Sequence, residues 1–170
     1  MRRRQFFVGT AVAALLAGCS TRPSSKFKSY GGPRVTRVIV NKGDRKMFLM
    51  SGRRTLKAYE IELGFAPIGD KKFEGDGKTP EGEYLIDRRN PNSRFHLSLG
   101  INYPSAQDVA EARAIGKDPG GEIFIHGQQN PFKRGRGDDD WTWGCISVTN
   151  RQMEDIYAMV KNGTPITLNA

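Results

Sequence analysis

The sequence predicts a mainly β domain of the α+β class, one strand-rich body carrying two short helices. Three observations carry that expectation. About eight short apolar runs with two-residue alternation, separated by Gly, Pro, Asn and Asp, follow one another from Val35 to the C-terminus. Helical periodicity with a cap occurs in only two stretches. The 170 residues are 37% hydrophobic and 26% charged, with a mean hydropathy of -0.56. This composition suits a single globular domain and excludes collagen-like, coiled-coil and polytopic membrane classes.

The N-terminus is set apart from that domain. Arg2, Arg3 and Arg4 form a basic start, Phe6 to Leu16 an apolar run, and Leu16-Ala17-Gly18-Cys19 resembles a bacterial lipobox. Residues 1–18 therefore read as a lipoprotein signal peptide and Cys19 as the lipidated first residue of the mature chain. The apolar run is shorter than the roughly 20 residues a membrane span needs. Arg3-Arg4-Gln5-Phe6-Phe7 also resembles a twin-arginine motif, so export by the Sec or the Tat route stays open. Periplasmic location with a lipid anchor is expected, and Ser20 after the cysteine favours the outer membrane by resemblance. Residues 19–33, rich in Ser, Pro, Gly and Lys, read as a flexible tether to a domain spanning 34–170.

Within the domain, VTRVIVN, KMFLM, TLKAYEIEL, EYLID, FHLSLGI, EIFIH, CISV and PITL are the expected strands, with Ser51-Gly52 as a hairpin turn. Ser105 with Asp108 caps one helix, AQDVAEARAI, closed by Gly116. Thr149 with Gln152 caps a second, whose Met153, Ile156, Tyr157 and Val160 share one core-facing stripe and whose C-cap is expected at Gly163. Two polar loops interrupt the strands. The first, GFAPIGDKKFEGDGKTPEGEY, is glycine-rich enough for its backbone to approach a ligand closely. The second runs from Gly127 to Asp140, and a loop of that length points to function or disorder.

Chemistry-bearing residues are few. If Cys19 is acylated, Cys145 is the one remaining thiol of two cysteines and has no intramolecular disulfide partner. A thiol attacks acyl carbon as thiolate, and imidazole is the usual means of producing one near neutral pH. Of two histidines, His96 reads as a strand residue with a surface or packing role. His126 ends the run EIFIH beside Gly127, which places an imidazole at a strand end. Cys145 follows Gly144, whose freedom allows a tight bend, and precedes CISV, a strand that would fix the nucleophile. Asp138, Asp139 and Asp140 with His126 lack the spacing of a zinc site, so no metal and no cofactor are expected.

Ile125-His126-Gly127 followed by Thr142-Trp143-Gly144-Cys145-Ile146 resembles the signature of the L,D-transpeptidase (YkuD) catalytic domain family. GDGKTPEGEY and INYP upstream are similar to further segments of its Gram-negative lipoprotein and periplasmic branch. The resemblance implies a YkuD-like β-sandwich or barrel acting on peptidoglycan stem peptides, possible crosslinking or attachment of a wall protein, and no nucleic acid partner. It makes Cys145 the nucleophile, His126 the proton acceptor and donor, Thr142 a residue orienting the imidazole, and Gly144 part of the oxyanion region. Gly127 and Tyr103 are expected substrate contacts, and Trp141 and Trp143 offer either a flat wall for the stem or sugar or buried packing. Trp143 stands where many relatives have histidine, and Ser147 where many have arginine; Arg134 or Arg136 is expected to supply that charge to a substrate carboxylate.

Hydrolysis of the same bonds, releasing D-residues or an attached protein, uses the same groups and stays open. Sortases place their histidine much farther upstream, and papain-like peptidases put cysteine first. A non-catalytic wall-binding lipoprotein is the remaining alternative. The formal charge is +9; with Arg2 to Arg4 set aside, 24 basic residues face 18 acidic ones, which suits an anionic partner.

Overall fold

The computed structural model describes residues 25–129 and 140–170. Cys19, the signal peptide, Arg134 and Arg136 lie outside the described residues. The strands are β1 (Arg37–Asn41), β2 (Lys46–Ser51), β3 (Arg54–Glu60), β4 (Gly82–Asn90), β5 (Ser98–Ile101), β6 (Phe124–His126), β7 (Ile146–Ser147) and β8 (Pro165–Asn169). All eight expected runs contribute one. They form a curled sheet in the order β3-β2-β1-β8-β4-β5-β6-β7. Most neighbours are antiparallel, whereas β1 with β8 and β6 with β7 are parallel. The chain after β3 reaches the far end of the sheet through bridges from Glu62 to Ser147 and from Gly64 to Thr142. That closure explains the nearly enclosed, barrel-like core.

Alternation places the core. In β1, Val38 and Val40 are fully buried, and in β2 Met47 and Leu49, as a two-residue period predicts for a sheet with one dry face. Leu97, Leu99, Ile101, Ile125 and Ile146 continue this core beneath the β5–β7 end.

Helix α1 (Ala106–Ala114) and helix α2 (Asn150–Met159) carry the expected capping boxes at Ser105 and Thr149. Met153, Ile156 and Met159 bury the apolar stripe of α2, which packs against β5 and β6. The expected C-cap at Gly163 is not where α2 ends. Val160 is already extended, and Arg89 of β4 donates to the carbonyls of Tyr157 and Val160 while its guanidinium sits 3.9 Å from the Tyr157 ring centre. A tertiary guanidinium thus satisfies end carbonyls that a glycine turn was expected to serve.

His96 is not a strand residue. It precedes β5 in a left-handed conformation, φ 73°, and its ring nitrogen lies 3.0 Å from Glu154 on α2. Part of the expected tether rests on the same helix: Lys28 pairs with Asp155 at 2.7 Å and Glu154 at 3.2 Å, and Lys26 donates to the Pro91 and His96 carbonyls.

Candidate active site

His126 ends β6 and is buried. Its Nδ1 lies 2.6 Å from the Gly127 carbonyl. A carbonyl only accepts, so Nδ1 carries the proton, and in the neutral ring Nε2 is left as the basic nitrogen. Phe95 packs on one side of the imidazole with centroids 4.5 Å apart, and Trp141 meets it edge-on at 5.7 Å. This aromatic enclosure removes water. Burial pushes the imidazole below its ordinary range, and the Gly127 hydrogen bond only partly opposes that shift.

Cys145 immediately precedes β7, where Ile125 pairs with Ile146 and His126 with Ser147. A two-residue side-chain period brings Cys145 toward the face that His126 occupies. The sulfur lies 3.5 Å from the Glu122 carbonyl, and among the described residues no hydrogen bond joins it to the imidazole. Burial pushes the thiol up, a donor from the Phe124 backbone opposes this, and the charges of Glu122 and Lys71 pull in opposite directions. Both shifts favour neutral partners, so the resting pair is thiol and imidazole.

The turn leading into Cys145 is built by Thr142. Its hydroxyl donates to the Cys145 carbonyl at 2.7 Å and accepts from the Gly144 N–H at 3.2 Å. Thr142 therefore closes the turn into Cys145, and among the described residues no hydrogen bond joins it to the imidazole. Gly144 has φ 121°, and a Cβ there would sit 2.5 Å from the Lys78 carbonyl, so only glycine fits. Its N–H is engaged by Thr142. Among the described residues the Cys145 N–H has no partner, which leaves it as the donor available to an oxyanion.

A cleft of about 370 Å³ opens beside the sulfur, lined by Cys145, Trp143, Lys71, Glu74, Glu122 and glycines 75, 120 and 121. Trp143 is 71% exposed and stands edge-on to Phe65 with centroids 5.0 Å apart, so its ring is a wall open to a ligand. Trp141 serves the imidazole and donates Nε1–H to Glu62 at 2.6 Å. Gly127 supplies its carbonyl to His126 and is hemmed in by Asn150 and Phe95. Tyr103 is buried and donates to the Pro119 carbonyl at 3.0 Å, bracing the strip that leads into glycines 120 and 121.

Lys71 was missed. Its loop drew attention for its glycines, but a lysine among 27 basic residues carries no mark of burial. The only available signal was Asp76 five residues on, inside GDGK.

A cysteine at a glycine-bounded turn, a strand-end imidazole with a fixed tautomer and an open cleft make a candidate site for thiol chemistry on a curled β scaffold. Residues 35–168 match the model of the YkuD L,D-transpeptidase catalytic domain, and the chain belongs to that family. YafK of Escherichia coli K12 is 29% identical over 148 residues, covering 83% of this chain and 54% of that protein. YkuD of Bacillus subtilis is 28% identical, covering 78% and 65%. The helical cell shape determining protein Pgp2 of Campylobacter jejuni superposes with a TM-score of 0.61 at 30% identity, over 82% of this chain and 49% of that one. A Mycobacterium smegmatis L,D-transpeptidase shares the fold at 16% identity and a TM-score of 0.54. The chain thus spans about half the length of YafK and somewhat under two thirds of YkuD.

Proposed function

We propose that this chain is a cysteine acyltransferase acting on peptidoglycan stem peptides through a thioester. The observation that carries the reading is the His126 imidazole held by the Gly127 carbonyl on the strand beside Cys145, with Nε2 free to act as base. The reaction requires the Cys145 side chain to turn from the Glu122 carbonyl toward Nε2. The sulfur attacks the carbonyl carbon of the L,D-peptide bond as its proton passes to Nε2, and the new oxyanion accepts from the Cys145 N–H. The C–N bond then breaks, and the imidazolium returns that proton to the leaving amine. An incoming amine attacks the thioester, its proton moves to Nε2, the C–S bond breaks, and the sulfur is reprotonated.

Lipidation of Cys19 would hold the domain at a periplasmic membrane face within reach of the wall. Mass spectrometry of muropeptides after incubation with the protein tests the reading. New crosslinked dimers that vanish with Cys145→Ala are expected. Shortened stems alone would mean that water is the acceptor, and unchanged muropeptides would overturn the reading.

A further inference from the structure

We propose that the Lys71 ammonium, braced by Asp76 in the cleft beside Cys145, holds a carboxylate of the substrate next to the bond that is cut. The word substrate rests on the acyl-transfer reading above; the carboxylate site itself does not. Lys71 and Asp76 have side chains only 3% and 5% exposed, and Nζ donates to Asp76 Oδ1 and to the Phe73 carbonyl, each at 2.9 Å. An ammonium has three donors. The third has no partner among the described residues, and Lys71 lines the cleft.

Asp76 does not need the lysine for its own satisfaction. It also accepts backbone N–H groups from Lys72 at 2.7 Å, Lys78 at 3.0 Å and Phe73 at 3.2 Å. Burial alone would raise this carboxyl, yet those donors with Lys71 hold it below its usual range, so the brace is a stable anion. A lysine fixed in this way presents charge to the cleft without the entropy cost of ordering a free side chain.

Lys71 is the one basic side chain among the described lining residues and so the one fixed cation a carboxylate can meet there; of the two acidic ones, Glu122 is paired with Arg88 at 2.9 Å and Glu74 lies beside the cleft glycines. Gly75 and Gly121 leave open space where a side chain would stand. Ser147, which stands where many relatives carry arginine, is fully buried with an unpartnered hydroxyl; in this proposal Lys71 supplies the charge from a different loop.

Alkylation of the full chain by iodoacetate and by iodoacetamide, reagents differing chiefly in carboxylate against amide, provides the test. Peptide mass mapping separates Cys145 from Cys19. The iodoacetate-to-iodoacetamide rate ratio at Cys145 should exceed the ratio in the same chain unfolded in urea by about tenfold, the order expected of one charge-assisted hydrogen bond. Lys71→Met should abolish the excess and Lys71→Arg retain most of it; equal ratios in wild type and Lys71→Met would overturn the proposal. Should Lys71→Met fail to fold, wild-type protein still decides: N-acetyl-D-alanine should slow alkylation of Cys145 by iodoacetamide and N-acetyl-D-alaninamide should not, and equal protection refutes the site. A carboxylate preference with unchanged muropeptides would retain this inference and reject the acyl-transfer reading.

Discussion

Cys145 and His126 are both driven toward their neutral forms by burial, and this sets the pH behaviour of the site. A raised thiol pKa leaves less thiolate at pH 7 than the ordinary range near 8.5 would give. Alkylation of Cys145 at pH 7 should therefore be slower than that of free cysteine and still be climbing above pH 9; a plateau already reached below pH 7 would reveal a preformed ion pair. The imidazole must be neutral to act as base, and a lowered pKa keeps it neutral further into acid. The acid limb of turnover should accordingly fall below the usual imidazole value of about 6.5, as a pH–rate profile will show. His126→Gln should cost about 10²- to 10⁴-fold in turnover, the usual contribution of a positioned base. The placement of Cys145 and His126 at adjoining strand ends was legible in the sequence because each lies in a short motif. Their partners were not: that Gly127 would orient the imidazole, that Thr142 would close the turn and that Tyr103 would brace a loop all depend on tertiary placement.

Among the elements, the turn from Thr142 to Cys145 is the least replaceable. Gly144→Ala would place a Cβ 2.5 Å from the Lys78 carbonyl in a left-handed backbone. Strain of that kind costs on the order of 1–3 kcal/mol before the clash is counted. The variant should unfold earlier in urea and react poorly at Cys145, and an unshifted midpoint with native reactivity would contradict the role given to this glycine. Thr149→Ala removes the N-cap of α2, at a cost of about 1 kcal/mol, measurable as a lower urea midpoint with little change in alkylation rate. Strands were readable because half-buried sheets impose alternation, and both helix starts because capping boxes are local. The end of α2 was not, since Arg89 arrives from β4, and neither was His96, whose ring nitrogen meets Glu154 on a helix 58 residues away.

Across the whole molecule, the glycine-rich loop is fastened to the sheet by one buried lysine. Lys42 Nζ donates to the Gly69 carbonyl at 2.6 Å, the Thr79 carbonyl at 2.8 Å and Glu81 at 2.9 Å. That loop carries Lys71 and Asp76 and abuts Gly144, so the staple links β1 to the cleft. Lys42→Met should cost on the order of 1–3 kcal/mol, because the Thr79 carbonyl loses its buried donor. A melting temperature lowered by several degrees is the expected readout, and an unchanged one would show that the loop is held elsewhere. Arg45 and Asp140 tie the other side, with Asp140 also accepting from the Leu63 N–H at 2.7 Å. The order of strands and the fastening of loops reflect contacts far apart in the chain, whereas the mainly β class with two helices followed from strand alternation and local capping boxes.

In the proposed reaction the Cys145 sulfur forms a covalent acyl adduct with His126 as its base. Intact-protein mass spectrometry of the folded chain exposed to a carbapenem, a strained acyl donor, measures this most directly. One adduct of the drug's mass, mapped to Cys145, absent in Cys145→Ala and much slower to form in His126→Gln, is the predicted result. An unmodified mass in folded protein whose Cys145 remains titratable by a small thiol reagent would contradict it.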